Sequence, residues 1–461
     1  MKKTKIIATI GPVSEASQVL KRLASEGVDI IRLNFSHGTY EWFGNVIKRV
    51  QEINETRVHK LSIMLDTKGP EIRTSGDMQA LTVKQGTNYT MAHMSIMCDI
   101  PVSYEYIVRD CKKGQLIQLD GGKIQAKVTE KKTDMLVIKM LNSGVLTAKR
   151  HVNLPGVHVT LPILGEQDKK DIAFGIGAGI DIIAASFVNT AEDIEKVREE
   201  IAKHTDRYIP IIAKIESHTA VENIDEILHA TDAIMIARGD LSVEIPYYKV
   251  ATVQEMLMSK AILAQKPVIM ATQMLLSMVS EPTPTRAEVT DVANAVFGQV
   301  DCIMLSDEST VGKFPVKCIE VMTNIAKEVE QNNKNTLSQF PKGTEDPEWE
   351  LFRAGVEYAE GMKVKALVLM SDDLNHIRLL DAMRPITPIK LVTRSIDTAA
   401  YASLMRGVET TVKASKENLR IGESLEVLKT NKSLKAGDKI VIFYPSNAGE
   451  ALDSMQLIIV K

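Results

Sequence analysis

Arg32, Asn34, Ser36, Asp66, Thr67, Arg73, Lys214, Glu216, Arg238, Asp240 and Thr272 stand at or close to the ends of short, almost wholly apolar runs. They combine cations with hard oxygen donors. Phosphoryl transfer requires that combination, because charge on the transferring group and the leaving oxygen must be neutralised by Arg, Lys and a divalent ion held on carboxylates. Glu216 and Asp240 end successive runs, so their carboxylates could share one Mg²⁺, or Mn²⁺ in its place, and leave positions open to substrate oxygens. Lys214 and Glu216 are two residues apart on a predicted strand and therefore share a face. Taken singly, each charged residue has a plainer reading as a rim ion pair, Lys214 and Arg238 with the two carboxylates. The convergence of so many polar groups on one edge favours a reaction centre.

The elements that must position these residues are legible from the apolar runs themselves. Eight recur: "KIIATI" (5–10), "DIIRLNFS" (29–36), "LSIMLDT" (61–67), "IDIIAASF" (180–187), "PIIAKIES" (210–217), "DAIMIARGD" (232–240), "PVIMATQ" (267–273) and "DCIMLSDES" (301–309). Continuous apolar runs indicate strands covered on both faces, as in parallel sheets. Helix starts are readable between them, at Thr190 with Asp193 three residues on, at Pro246, and in "TRAEVTDVANAVF". The pattern predicts an α/β chain built on a (β/α)₈ barrel, with its active site at the carboxyl ends of the strands.

The third unit is interrupted. From Arg73 to about Val159 the sequence changes to short alternating strands, "ALTV", "QLIQL", "KIQAKV" and "MLVIKM", with turn signals between them. This reads as an all-β lid inserted at the catalytic face. After a helix at about 315–330, the polar stretch "QNNKNTLSQFPKGTEDPEWE" reads as a linker, and "KALVLMS", "PIKLVT", "KIVIFYPS" and "QLIIV" beyond it imply a smaller α/β domain. The expected division is 1–73 with 159–335 for the barrel, 74–158 for the lid and 345–461 for the C-terminal domain.

Composition narrows the partners. The 461 residues are 44% hydrophobic and 25% charged with a net charge of -3, which offers no electrostatic case for nucleic acid or an anionic membrane. Four scattered cysteines lack the close spacing of a zinc site or redox dithiol. The apolar run at the start is too short for a signal-peptide core, and no stretch reaches the ~20 apolar residues of a membrane span. These features predict a cytoplasmic location and small-molecule partners. "GIGAGID" precedes a strand rather than following one, which argues against a dinucleotide motif, and His37 reads as a loop-fixing residue.

The motifs "KTKIIATIGP", "IRLNFSHG", "LDTKGPEIRT", "HVNLPGV", "DIIAASFV", "IIAKIE", "ARGDLSVEIP", "ATQML" and "PTRAEVTDVANAV" resemble those of the pyruvate kinase family over almost the whole chain. The resemblance implies transfer of phosphate from phosphoenolpyruvate to ADP, giving pyruvate and ATP, with Mg²⁺ and K⁺ as cofactors and a homotetramer as the assembly. It assigns Arg32 to the substrate phosphate, Asn34, Ser36, Asp66 and Thr67 to K⁺, Glu216 and Asp240 to Mg²⁺, and Lys214 to the transferring phosphoryl and the enolate oxygen. The backbone near Gly239 and Asp240 would orient the substrate carboxylate, Thr272 would lie on the protonation path, and Arg73 and Arg150 would meet the nucleotide. Glu71 stands where K⁺-dependent members have Glu.

The chain departs from the family pattern at Asn189, at Ser217-His218-Thr219-Ala220, at Gly121, at Arg150, at Ser242 where Gly is usual, and at Asp307. A Gly replaced at a position of positive φ would be costly. Alternatives are therefore a paralogue acting on another 2-oxo acid or enol phosphate as a lyase or decarboxylase, and a non-catalytic metabolite-binding regulator. In the C-terminal domain, the loop Ser371-Asp372-Asp373-Leu374-Asn375-His376 carries two carboxylates where the family holds a sugar phosphate, which predicts no activation by fructose 1,6-bisphosphate.

Overall fold

Each of the eight apolar runs forms a strand, and the strands close on themselves. In the computed structural model, which describes residues 2–157, 159–332, 346–413, 420–446 and 452–461, these are β1 (Lys5–Thr9), β2 (Ile30–Asn34), β3 (Ser62–Asp66), β4 (Ile182–Ala185), β5 (Ile211–Ile215), β6 (Ala233–Ala237), β7 (Val268–Ala271) and β8 (Cys302–Leu305). They pair in parallel, in sequence order, as a closed barrel. Alternation along each strand divides the core. Ile6, Ala8, Ile31, Leu33, Ile63 and Leu65 pack outward with the surrounding helices, whereas Ile7, Ile30, Met64, Ile182, Ile212 and Met235 belong to a separate interior cluster. Burying each such side chain fully contributes roughly 1.5–3 kcal/mol.

Local signals set the helix ends. Thr190 and Thr285 form capping boxes with Asp193 and Glu288, opening the helices Ala191–Ala202 and Arg286–Phe297. "GIGAGID" is the end of the helix Glu166–Ala178, capped by Gly179 in the left-handed region at φ 89°.

Between β3 and β4 lies an insertion with a six-stranded and a two-stranded sheet. The four alternating runs are strands there, and so are Asn88–His93, Ile100–Val102, Gly144–Leu146 and Val152–Asn153, which had not been anticipated. The C-terminal sheet has five strands, four parallel and the last, Ser454–Ile459, antiparallel at an edge. It includes Val408–Lys413, also unanticipated. Most of the presumed linker lies outside the described residues, and its last residues open the helix Pro347–Gly361.

The amino-terminal end of the barrel has its own order. Asp29, Asp181, Asp232 and Asp301 each precede an even-numbered strand, and their carboxylates accept the N–H of Ile6, Ile63, Ile211 and Val268 at 2.8, 2.8, 2.8 and 2.9 Å. Each of these aspartates also donates its own N–H to the carbonyl of the same partner. The C-terminal domain docks at this end: Arg384 Nη2 donates to Asp301 (2.9 Å), Arg207 Nε to Asp397 (3.1 Å) and the Tyr401 hydroxyl to the Asp232 carbonyl (3.0 Å).

Candidate active site

At the other end, β2, β3 and β5 deliver charged side chains into a buried cluster. Asp66, at the end of β3, accepts from Arg32 Nε at 2.6 Å and from Lys214 Nζ at 3.1 Å. Lys214 also donates to Ser186 Oγ at 2.6 Å and lies 3.0 Å from Glu216 Oε1. The second Glu216 oxygen accepts the N–H of Phe187 at 2.8 Å, and Phe187 is held at φ 58°, an uncommon conformation for a bulky residue. Arg32 Nη1 donates to Thr9 Oγ1 at 2.8 Å. Gly69, at φ 69°, lets the chain pass Ser186 where an added Cβ would come within 2.7 Å of the serine Cβ.

Burial opposes the charges of Asp66, Lys214 and Glu216, and the neighbours decide the outcome. Burial raises the Asp66 carboxyl, but Arg32 and Lys214 override it and hold the pKa below the usual value. Burial lowers the Lys214 ammonium, and Asp66 and Glu216 reverse this and leave it raised. Glu216 goes the other way: burial pushes its carboxyl up, the pull of Lys214 opposes that, and the charges of Asp240 and Asp66 add to the rise. Two cations thus face three carboxylates. A divalent ion on Glu216 and Asp240 fits this donor set, because the carboxylates are hard ligands and the cluster lacks positive charge. The oxygens of Asn34, Ser36, Asp66 and Thr67 are likewise hard donors suited to K⁺, and Asn34 Oδ1 already accepts the Ser36 N–H at 3.1 Å, folding that loop.

Thr272, just past β7, sits at φ 68° and accepts the Gly239 N–H on Oγ1 at 2.8 Å. That N–H is therefore engaged by Thr272, and a substrate carboxylate would have to displace the hydroxyl to reach it. Gly239 and Asp240 open the short helix Arg238–Glu244. Arg238 takes the plainer role, pairing with Asp291 at 2.6 Å and donating to the Thr272 carbonyl at 2.8 Å. Arg73 lies at the root of the insertion, bonded to Glu71 at 2.7 Å and to the Lys149 carbonyl at 3.0 Å. Arg150 is paired through its backbone with Thr74 at the same root, and its half-exposed side chain donates to Thr147 Oγ1 at 2.7 Å and lies 3.6 Å from Asp120.

Sequence reasoning passed over Ser186, which links Lys214, Asp66 and the Thr67 carbonyl. Its signal was a lone hydroxyl closing the apolar run "IIAAS". The altered residues have local partners. Ser242 is helical rather than at positive φ, and its Oγ donates to the Gly239 carbonyl at 2.8 Å, so the feared strain is absent there. Ser217 caps the helix His218–Glu222 through the Ala220 N–H at 3.0 Å and hydrogen-bonds Asn189. Asp307 is exposed, while Glu308 beside it is buried and accepts from Leu275 N–H at 3.0 Å. In the C-terminal loop Asp372 accepts from the Arg394 backbone at 2.6 Å and Arg394 Nε at 2.7 Å, and Asp373 caps the following helix through Asn375 N–H at 2.8 Å.

Comparison with known proteins gives a consistent result. Residues 1–319 match the family model described as pyruvate kinase, barrel domain, and residues 350–458 match that of the pyruvate kinase alpha/beta domain. The chain is 39% identical over 462 residues to a pyruvate kinase of Geobacillus stearothermophilus, covering 97% of this chain and 78% of that protein. It is 39% identical over 424 residues to pyruvate kinase 1 of Saccharomyces cerevisiae, covering 88% and 84%. A crystal structure of a pyruvate kinase from Cryptosporidium parvum superposes with a TM-score of 0.93 at 33% identity, covering 100% of this chain and 96% of that one.

Proposed function

The chain belongs to the pyruvate kinase family, and from that membership we propose how its residues divide the work of the reaction. It is a phosphotransferase that moves the phosphoryl group of phosphoenolpyruvate to ADP, giving pyruvate and ATP in the last step of glycolysis. The observation that carries the assignment to this chain's own residues is the buried Arg32, Asp66, Ser186, Lys214, Glu216 cluster at the carboxyl ends of the strands.

Lys214 is preorganised by Asp66 and Ser186, so its ammonium meets developing charge on the phosphoryl group and the enolate oxygen with little reorganisation. Arg32, fixed by Asp66 and Thr9, grips the phosphate of the substrate. Glu216 and Asp240 hold Mg²⁺ or Mn²⁺, and Asn34, Ser36, Asp66 and Thr67 hold K⁺. When bound, these ions supply charge neutralisation and orient substrate oxygens. Gly239 and Asp240 receive the substrate carboxylate, and Thr272 stands on the route by which the enolate is protonated. Arg73 and Arg150, both at the root of the insertion, meet the phosphates of ADP. The insertion at 74–158 acts as a lid on the barrel of 1–73 and 159–335, and 345–461 forms the C-terminal domain.

The enzyme works in the cytoplasm as a homotetramer. No helix among the described residues is long and apolar enough to cross a membrane. One exposed apolar row supports self-association: Met455, Leu457 and Ile459, at alternate positions along the edge strand of the C-terminal sheet. Light scattering at micromolar concentration tests this, and a monomer would refute it.

The activity is tested by following pyruvate formed from phosphoenolpyruvate and ADP, with and without Mg²⁺ and K⁺. ADP-dependent turnover needing both ions is the expected outcome. Turnover without ADP would favour a lyase and defeat the assignment.

A further inference from the structure

The insertion is hydrogen-bonded to one short helix of the barrel from two places, the strand Leu116–Leu119 and Asn153 beside its root. Gln118 Nε2, on the strand Leu116–Leu119, donates to the Val243 carbonyl at 2.7 Å, and Asn153 Nδ2 donates to Glu244 Oε1 at 3.0 Å. Val243 and Glu244 are the last residues of the helix Arg238–Glu244, whose first turn carries Gly239 and Asp240. The first turn is tied to the barrel instead, through the Gly239 N–H on Thr272 and Arg238 on Asp291.

The helix is therefore held from two bodies, the barrel at its start and the insertion at its end. It spans seven residues, about 10 Å at 1.5 Å per residue, and Leu241 is its buried residue. A single buried anchor gives little packing to resist a pull at the far end. Beside the contact lies a cavity of about 80 Å³, lined by Asn153, Leu154, Asn189, Ser217, Thr219 and Glu244, so the space between insertion and barrel rim is incompletely filled by side chains. Gly122, at φ +84°, makes room for the contact, since an added Cβ would lie 2.6 Å from Gln118 Oε1.

We propose that Gln118 and Asn153 are positioning residues: by holding the end of the Arg238–Glu244 helix, the docked insertion sets the place of the Asp240 carboxylate. This rests on Asp240 being a ligand of the divalent ion, as proposed above. Bonds to Val243 and Glu244 hold the lightly packed helix in the orientation in which the Asp240 charge acts on Glu216.

The test is the double variant Gln118→Ala/Asn153→Ala in the full chain, with Glu244→Gln as a conservative variant that retains an acceptor for Asn153. Amide hydrogen exchange and binding of Mn²⁺ alone, read by electron paramagnetic resonance, are measured beside steady-state kinetics. Loss of the two bonds is expected to speed exchange across residues 239–245 by about tenfold and to weaken Mn²⁺ binding several-fold, as expected from bonds of ordinary strength. Exchange in 116–119 and 124–131 should hardly change. kcat should fall by about tenfold with the KM for phosphoenolpyruvate changing less, and Glu244→Gln should keep most of the exchange protection. Unchanged exchange in 239–245 or unchanged Mn²⁺ affinity would overturn the proposal, as would faster exchange throughout the insertion, which would make the bonds supports of the insertion itself. The exchange and Mn²⁺ readouts need no turnover, so absence of kinase activity alone would count against the reaction and leave the positioning claim decided by them.

Discussion

Both ends of the barrel carry carboxylates largely removed from solvent and met by side-chain cations, yet the four at the amino-terminal end have a reciprocal backbone clasp that Asp66 and Glu216 lack. At the amino-terminal end, Asp29, Asp181, Asp232 and Asp301 each take a backbone N–H from the neighbouring strand and return their own. Those donors are fixed by the sheet. At the carboxyl-terminal end, Asp66 and Glu216 are met mainly by the side chains of Arg32 and Lys214. Side-chain cations can turn to an incoming anion, and backbone amides in a ladder cannot. A carboxylate clasped to the ladder therefore reads as structural even where a side-chain cation also meets it, as at Asp29, Asp232 and Asp301, which agrees with the general division between the two faces of such barrels.

Substitutions at the two ends should separate activity from stability. The largest effect is expected for Lys214→Met, where losing a preorganised donor removes roughly 3–4 kcal/mol of transition-state stabilisation, a loss of at least about a hundredfold in kcat. Circular dichroism should still show a folded protein, and a kcat within tenfold of the parent would break the contrast. Asp301→Ala should do the reverse. It leaves the Val268 and Arg406 N–H groups without their acceptor and the buried Arg384 guanidinium with Asp381 as its remaining carboxylate partner, costing about 3–5 kcal/mol in urea unfolding. Turnover per folded molecule should stay near that of the parent.

The pH response sharpens the picture within one rim. Burial pushes the Asp181 carboxyl up to about 6, against an unfolded value of 3.8. The folded state then binds the proton more tightly, so this contribution to stability is full at low pH and is lost as pH rises from about 4 through 6. Asp181→Asn, which keeps an acceptor for the Ile63 N–H, should flatten that slope and raise stability at pH 7 by about 1–2 kcal/mol. Asp29 carries the opposite sign. Burial raises its pKa, but Lys2 and Lys5 hold it below the usual value, so its stabilisation is present above about pH 4 and is lost as the pH falls further. Urea titrations of Asp181→Asn and Asp29→Asn across this range should move in opposite directions. The smallest effect is expected for Ser242→Gly, which loses a bond to Gly239 and gains a helical Gly, within about 1 kcal/mol of stability. A larger change in kcat than in stability would show that Ser242 acts in the reaction.

Much of this was legible beforehand, for identifiable reasons. The barrel strands are buried on both faces, so their sequences are nearly continuous apolar runs that no surface element imitates. Lys214, Glu216 and Asp66 were conspicuous because charge follows those runs directly. The strand Asn88–His93 was missed because its residues, "NYTMAH", carry no clear alternation. Engagement of the Gly239 N–H by Thr272 could not be read, since it depends on a positive φ at a residue whose type disfavours it. The structural aspartates were in plain view. Each stands immediately before an apolar run, in "VDII", "IDII", "TDAI" and "VDCI", but the role lies in a partner on the preceding strand.

Those aspartates also bear on how an insertion of this size came to be tolerated. The clasp between Ile6 and Asp29 closes a segment with a separation of 23 residues, whereas the equivalent clasp between Ile63 and Asp181 spans 118. Chain-closure entropy grows only with the logarithm of length, so the longer segment costs about 1.4 kcal/mol more if wholly flexible, and less once the inserted sheets fold and bring its ends together. One reciprocal pair of hydrogen bonds is of that order. The β3–β4 joint can thus carry an extra folded body and still close, and the polymer statistics of the chain set almost no limit on what may be grafted there.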